Sequence, residues 1–373
     1  LDVKYCLGEN YLENLKGFDI IFKTPSVRPD IPELVMERER GAVVTSEMEI
    51  FFELCPAEIF AVTGSDGKTT TTTLIYRMLV EEGYKCWLGG NIGTPLLSRI
   101  EEIEPDHKVV LELSSFQLQT MERSPSTAVI TNVSPNHLDI HKSMEEYTEA
   151  KKNIFRYQKG TDRLVINLDN EITAGFASEA KGMVLFFSRK SFPEEGAFLK
   201  EGYIVWRKDG KETGFVKADK ILLPGVHNLE NFLAATAAVA EHVKPETVRK
   251  VAESFKGVEH RIEPVREING VLFINDSIAS SPNRTIAGLN SFNKRVILIA
   301  GGKDKNNNYQ PLGELMVDKV KCLVLLGQTA PLIEKSLRDA QVKTGRGGDI
   351  PVINCSTMEE AVKEAYKRAE KGD

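Results

Sequence analysis

No stretch of about 18 apolar residues, the length that a membrane-crossing helix needs, occurs in this sequence, and no basic-then-apolar leader opens it. The expectation is a cytoplasmic protein that does not enter a membrane. Cysteine is sparse: Cys6, Cys55, Cys86, Cys322 and Cys355 are odd in number, widely spaced and contain no C-x-x-C pair. Free thiols in a reducing compartment fit that pattern better than a disulfide framework or a zinc site. Basic excess is missing as well. A formal charge of −6 argues against a nucleic-acid partner, which needs a basic footprint, yet a polyanionic small ligand can still be held by a pocket's local field. Internal repeats and low-complexity runs are absent too; "TTTTT" (69–73) is short and "NNN" (306–308) reads as a loop.

What is present is ordinary globular material. Apolar residues make up 41% and charged residues 27% of 373 positions, enough for two or three domains with separate cores. Residues 1–58 hold a β-like run, "GFDIIFKTPSV" (17–27), a helix-like segment near 33–40 and a short strand, "AVVTS" (42–46). That is a small α/β unit, less than a full nucleotide-binding fold. From residue 59, the apolar strands "IFAVTG", "KVVLEL", "TAVITNV" and "RLVINL" alternate with helical patterns, the mark of a parallel sheet covered on both faces. Short strands over 183–225 read as an antiparallel add-on, and an alanine-rich helix follows over 227–243. The central domain so read covers 59–257. Over 258–373, "GVLFIND", "RVILIAGG", "KCLVLLG" and "IPVINC" again alternate with helices, giving a second parallel α/β domain. Its last helix turns Met358, Ala361, Val362 and Ala365 to one face. Both ends of the chain read as cut.

The stretch "IFAVTGSDGKTT" (59–70) sets Gly64, Gly67, Lys68 and Thr69 between a strand and a helix, the setting of a phosphate loop. Only Ser65 and Asp66 separate the glycines, where the common pattern has four residues. Backbone N–H groups over Gly64, Ser65, Asp66, Gly67 and the helix start to Thr70 would face an anion. Lys68 would reach the β/γ-phosphates, Thr69 would offer its hydroxyl to Mg²⁺, and the Asp66 side chain is expected to turn away. A strand-to-helix turn with a surface lysine is the other reading of the motif alone. In the threonine run, poor in helix propensity, only Thr69 has an evident role.

Two more strands end in polar residues. "VVLELSSFQLQT" (109–120) ends its strand at Glu112, and "VITNVSPNHLDIH" (129–141) supplies Asn132, Asn136, His137 and Asp139. Ligands bind at such carboxyl ends in open α/β sheets. Taken singly, Glu112 reads equally as a surface or cap glutamate, and His137 as a structural histidine. A site made of Thr69, Glu112 and His137 would be mixed oxygen and nitrogen, suited to Mg²⁺ or Mn²⁺. On the helix "MEEYTEAKKNIF" (144–155), pattern alone makes Lys151 and Lys152 a solvated basic face.

The motifs "TGSDGKTT", "GGNIGTPL", "ELSSFQL", "NVSPNHLDIH", "YTEAKKNIF", "PGVHNLENFLAA", "EHRIEPV", "NDSIASSP" and "GGKDK" follow in the order and spacing of the Mur ligases, and the resemblance spans nearly the whole chain. The short TGxxGKT loop is that family's form, shared with folylpolyglutamate synthase. "ELSSFQL" resembles the members that add D-glutamate to UDP-N-acetylmuramoyl-L-alanine. The resemblance implies three α/β domains: a partial N-terminal Rossmann-like domain, a central P-loop ATPase-type parallel sheet and a C-terminal Rossmann-like domain. It implies ATP-driven amide formation through an acyl phosphate, in a monomer.

By position, the resemblance gives Lys68 and Thr69 to the phosphates and metal, and Glu112 and His137 to the metal shell. Lys151 takes the place of the family's carbamylated lysine. Asn228 and Asn231 fall on the adenine side, and Arg261 and Asp276 on the domain that closes over ATP. Asn91, Ser114 and Gln117 would line the muramoyl-peptide cleft, while Thr24, Pro25 and Ser26 would grip the UDP diphosphate. Lys305 would pair with a D-glutamate carboxylate. Ile278 stands where many members carry lysine, and Asn136 where an aspartate often precedes the metal histidine. A folylpolyglutamate synthase-like ligase and a non-catalytic ATP-binding switch are the alternatives. The row Glu112, His137 and Lys151 speaks against a switch, which needs fewer metal ligands.

Overall fold

Two short strands, β1 (Ile20–Phe22) and β2 (Val43–Thr45), pair in parallel around α1 (Pro32–Glu39). The next helix, α2 (Glu47–Leu54), starts on Ser46, whose hydroxyl accepts from the Glu49 N–H at 3.3 Å. These elements come from a computed structural model, which describes residues 5–8, 11–134, 141–223, 225–304, 307–346 and 348–373. The chain divides into two units, Leu1–Phe255 and Lys256–Asp373.

In the first unit, one sheet gathers β3 (Glu58–Thr63), β4 (Cys86–Gly90), β5 (Lys108–Glu112), β6 (Thr127–Ile130), β7 (Arg163–Asn167), β8 (Met183–Ser188), β9 (Gly196–Lys200), β10 (Tyr203–Lys208) and β11 (Lys211–Lys217). Their spatial order is β4-β5-β3-β6-β7-β8-β9-β10-β11. Every pairing from β4 across to β9 is parallel, and only β9-β10-β11 is antiparallel. The antiparallel part is therefore smaller than the sequence reading of 183–225. Apolar alternation marks a strand but not its direction; the connection 189–195 brings β9 back beside β8 in the same sense.

The helices of this unit are α3 (Lys68–Glu82), α4 (Ser115–Leu118), α5 (Met144–Arg156), α6 (Glu171–Gly175), α7 (Val226–Val239) and α8 (Pro245–Ser254). Ile59 to Val62, Val109 to Leu111, Ala128 to Ile130 and Leu164 to Ile166 are all buried, as continuous apolar strands covered on both faces must be. Because β3, β5 and β6 are parallel neighbours, their carboxyl ends open on one edge of the sheet, with Gly64, Glu112 and Thr131 side by side. The helix α2 is fastened to this sheet by Met48, Phe51 and Phe52, which share a core with Ile59, Trp87, Leu96 and Leu118.

The second unit begins with a hairpin, β12 (Glu263–Ile268) and β13 (Val271–Asn275). Its parallel sheet has three strands, β14 (Val296–Gly301), β15 (Val320–Leu326) and β16 (Val352–Cys355), in that order. "GVLFIND" thus joins a hairpin and not the parallel sheet. The reason is local: Asn269 and Gly270 have φ of 53° and 78°, the two positive values of a tight type I′ hairpin turn. Helices α9 (Pro282–Asn290), α10 (Gln310–Lys319), α11 (Ala330–Thr344) and α12 (Met358–Arg368) complete the unit. On α12, only Ala361 and Ala365 of the expected face are buried; Met358 is 57% and Val362 37% exposed. The i, i+4 alanines let the helix approach the sheet, and the two larger residues flank the contact. No helix among the described residues is long and apolar enough to cross a membrane.

Phe51 is fully buried in the core that α2 shares with the main sheet. Phe51→Ala should lower the unfolding free energy by about 3–5 kcal/mol, read as a shift of the urea midpoint at unchanged slope.

Candidate active site

Where β3 ends, Gly64 turns the chain with φ 148°. A Cβ there would lie 1.9 Å from Thr131 Oγ1 and 3.1 Å from the Asn132 carbonyl oxygen, so only glycine lets the loop lie against the end of β6. The loop is then braced from that neighbour. Ser65 N donates to Asn132 O at 2.9 Å and Asp66 N to Asn132 Oδ1 at 3.0 Å. Asp66 O accepts from Thr131 Oγ1 at 2.5 Å and from Asn132 Nδ2 at 3.2 Å. The Ser65 hydroxyl accepts from Ser134 N at 2.9 Å and lies 3.0 Å from the Tyr147 hydroxyl on α5.

Asp66 is exposed, and its N–H is engaged by Asn132. That leaves the start of α3, capped by Gly67 at φ 78°, as the anion-facing part of the loop. First-turn N–H groups have no intrahelical acceptor, and the helix dipole adds to their field.

Two lysine amines converge on the Gly64 carbonyl. Lys68 Nζ donates to it at 2.9 Å and to Ser65 O at 3.0 Å. Lys151 Nζ donates to the same oxygen at 2.8 Å and lies 3.4 Å from Thr63 Oγ1. The solvated-face reading of Lys151 is overturned, since the residue is only 1% exposed. Its amine sits 4.5 Å from the centre of the Tyr147 ring. Burial first, and then the positive charge of Lys68, hold its pKa well below the usual lysine value, with Asp66 and Glu112 pulling the other way. Lys152 is not a freely solvated cation either: its side chain is only 14% exposed and is paired with Glu149 at 2.9 Å and Glu179 at 2.7 Å. On α5 the buried residues include Tyr147, Ala150, Lys151 and Ile154; a lysine in the inward register simply does not look apolar.

Glu112 is also buried, at 2% exposure. Its Oε2 accepts from Thr69 Oγ1 at 2.6 Å and its Oε1 from Asn91 Nδ2 at 2.8 Å. A carboxylate and a hydroxyl side by side are hard oxygen donors of the kind that hold Mg²⁺ or Mn²⁺. A second group, Glu104, Asp106 and His107, lies before β5, away from Glu112 at that strand's other end. There His107 Nδ1 accepts from Trp87 Nε1 at 3.1 Å and from Glu104 N at 3.0 Å. Both are obligate donors, so Nε2 carries the ring proton and has no lone pair for a metal.

The threonine run has more structure than its sequence reading gave it. Thr71 Oγ1 donates to Asn231 Oδ1 on α7 at 3.2 Å. Thr72 and Thr73 donate back to the Lys68 and Thr69 carbonyls at 2.8 and 2.7 Å. Asn231 in turn donates to Asn228 Oδ1 at 3.3 Å, which brings both asparagines beside the start of α3. Thr70 is buried there as well.

Other expected residues have local partners of their own. Ser114 and Gln117 close a capping box on α4: the Gln117 Oε1 accepts from Ser114 N and Oγ at 2.9 Å, and Gln117 N donates to Ser114 Oγ at 3.2 Å. Thr24, Pro25 and Ser26 follow β1, with the two hydroxyls 2.9 Å apart. Arg261 and Asp276 belong to the second unit, where Asp276 Oδ1 accepts from Ile262 N at 3.1 Å and burial raises its pKa. Asn136, His137, Asp139 and Lys305 lie outside the described residues. Sequence reasoning missed Thr131, Ser134 and Tyr147. Only Tyr147 carried a signal, an aromatic one turn before Lys151 on an amphipathic helix.

Comparison with known proteins adds two family matches: "Mur ligase middle domain" over residues 62–239 and "Mur ligase, glutamate ligase domain" over residues 260–373. The chain is 68% identical to a UDP-N-acetylmuramoylalanine--D-glutamate ligase of Acetivibrio thermocellus, over all of this chain and 80% of that protein. It is 57% identical to the enzyme of the same description from Ruminiclostridium cellulolyticum, with the same coverage. Among solved structures, UDP-N-acetylmuramate-alanine ligase from Thermotoga maritima matches with a TM-score of 0.60 at 22% identity, covering 94% of this chain and 80% of that one. A bifunctional folylpolyglutamate synthase/dihydrofolate synthase matches with a TM-score of 0.63 at 16% identity, covering 87% of each chain. At those identities the solved structures establish a shared fold.

The Lys151 amine sets a pH dependence of stability. In the unfolded chain it titrates near about 10.4, and in the folded chain well below that. Between those limits the unfolded chain binds more protons, so folding stability rises with pH. In CO₂-free buffer, Lys151→Met should raise the melting temperature at neutral pH by roughly 2–4 °C and abolish the alkaline rise, measured by thermal unfolding across pH.

Proposed function

Because the chain belongs to the Mur ligase family, we propose that this site joins D-glutamate to UDP-N-acetylmuramoyl-L-alanine at the expense of ATP. The chain is an ATP-dependent, amide-forming ligase of peptidoglycan precursor synthesis. The observation that carries this is the 68% identity, along the whole chain, to a ligase of that description. Cytoplasmic location and a monomeric state go with the reading.

In the reaction, the muramoyl-alanine carboxylate takes the γ-phosphoryl group of ATP. The D-glutamate amine attacks the acyl phosphate, and the tetrahedral adduct collapses to amide and phosphate, with ADP left behind. The protein's part is positioning and charge stabilisation. Lys68 rests on the Gly64 and Ser65 carbonyls and would exchange them for phosphate oxygens, next to the N–H groups of the first turn of α3. Asn228 and Asn231 are assigned to the adenine side, and Arg261 and Asp276 to ATP. Thr24, Pro25 and Ser26 are assigned to the diphosphate, Asn91, Ser114 and Gln117 to the muramoyl-peptide cleft, and Lys305 to D-glutamate.

Thr69 and Glu112, with their paired oxygens, would hold Mg²⁺ together with His137. Bound there, the ion spreads the negative charge of the transferring phosphoryl group. Lys151 as an amine is no ligand for a hard cation. Its burial and depressed pKa keep the neutral, nucleophilic form available, and we assign it to carbamylation. The amine nitrogen attacks CO₂, gives up a proton to solvent, and becomes an anionic carbamate. Carbamylation exchanges an amine crowded by Lys68 for an anion that Lys68 and the metal both attract.

ADP release should require both the muramoyl nucleotide and D-glutamate; turnover with a folate acceptor and none with the muramoyl nucleotide would sink the assignment. Lys151→Ala should lower kcat by about a hundredfold or more. A short-chain carboxylic acid in excess should restore part of it, since a free carboxylate can enter the vacated space; full activity in the untreated variant would remove the carbamate from the scheme.

A further inference from the structure

One carboxylate at the start of α5 joins three segments of the first unit. Glu146 Oε1 accepts from Arg28 Nη2 at 2.7 Å and from Gln119 Nε2 at 3.1 Å, and Oε2 accepts from Lys142 N at 2.5 Å. Arg28 directly follows the 24–27 loop and also donates to Asp30 Oδ1 at 2.9 Å, while Asp30 Oδ2 accepts from Lys142 Nζ at 2.6 Å. The loop is thus tied to the α5 end twice, by crossed ion pairs. Gln119 caps the α4 segment that holds Ser114 and Gln117. On the helix side, Tyr147 is the next residue and reaches Ser65 of the phosphate loop; Lys151 follows one turn later. Both partners are largely covered, with Arg28 24% and Glu146 25% exposed, which limits screening of the pair by salt. The hydrogen bond from Arg28 holds the Glu146 carboxyl below the usual range.

We propose that Glu146 is a positioning residue for the uridine nucleotide substrate, setting the 24–28 loop and the Ser114–Gln119 segment at a fixed offset from the helix that carries Lys151. It touches neither phosphate nor metal in this assignment and acts through Arg28 and Gln119. The inference rests on the functional reading above, which assigns those two segments to the muramoyl nucleotide. Its signature is therefore a rise in KM for the muramoyl nucleotide that the KM for ATP does not share.

The test compares full-length wild type, Arg28→Ala, Glu146→Gln and the double variant in steady-state kinetics, with Arg28→Lys as the conservative control. KM for UDP-N-acetylmuramoyl-L-alanine should rise roughly tenfold in Arg28→Ala and in Glu146→Gln, and the double variant should be no worse than either. KM for ATP should stay within about twofold, and Arg28→Lys should recover part of the loss. An unmoved nucleotide KM, additive single effects, or an ATP KM that rises in parallel would overturn the proposal. Wild-type turnover of the muramoyl nucleotide is the control: its absence fails the functional reading and this inference with it, whereas normal wild-type turnover with unmoved variants fails this inference alone.

Discussion

Two lysines share one acceptor, the carbonyl oxygen of Gly64, with Lys68 at 2.9 Å and Lys151 at 2.8 Å. A like charge nearby in a desolvated place disfavours the charged form, and Lys151, the more deeply buried, has its pKa pushed well down. Everything else at this edge of the sheet bears on that contact. Gly64 must lack a side chain for the loop to lie against Thr131. α5 must hold Lys151 toward the core, and the first residue of α3 must point its amine back over the loop.

The shortness of the loop follows from the same geometry. Here two residues do the turning, and the neighbouring strand's end does the bracing. Thr131 and Asn132 hold the Ser65–Asp66 peptides from one side, and Ser134 and Tyr147 hold the Ser65 hydroxyl from another. Because β3, β5 and β6 run parallel, the same edge delivers Glu112 to the Thr69 hydroxyl. A helix start, a hard-oxygen pair and a buried amine are thereby assembled from three strand ends and two helices.

Much of this was legible in the sequence, and the failures have physical causes. Unbroken apolar runs such as Val109 to Leu111 point to buried, doubly covered strands, and Gly64, Lys68 and Thr69 mark a turn between a strand and a helix. Strand direction is not written in alternation, which is why β8 was placed with the antiparallel strands. The Asn269-Gly270 turn was a readable hairpin signal, and it outweighed the alternation that suggested a parallel strand at 271–275. Lys151 is the sharpest case. Periodicity made it a surface cation, and only likeness to a family of ligases picked it out, because a buried lysine has the composition of an exposed one. The braces at Thr131 and Ser134 are short polar residues near a strand end, indistinguishable in sequence from ordinary turn formers.

The proposal that burial beside Lys68 favours the neutral amine of Lys151, so that it can take up CO₂, is open to direct observation. Protein equilibrated with ¹³C-bicarbonate and Mg²⁺ should show a carbamate carbonyl resonance by ¹³C NMR that is absent from Lys151→Ala and weakens when CO₂ is removed. A wild-type spectrum without that resonance, recorded under conditions in which the enzyme turns over, would contradict the account.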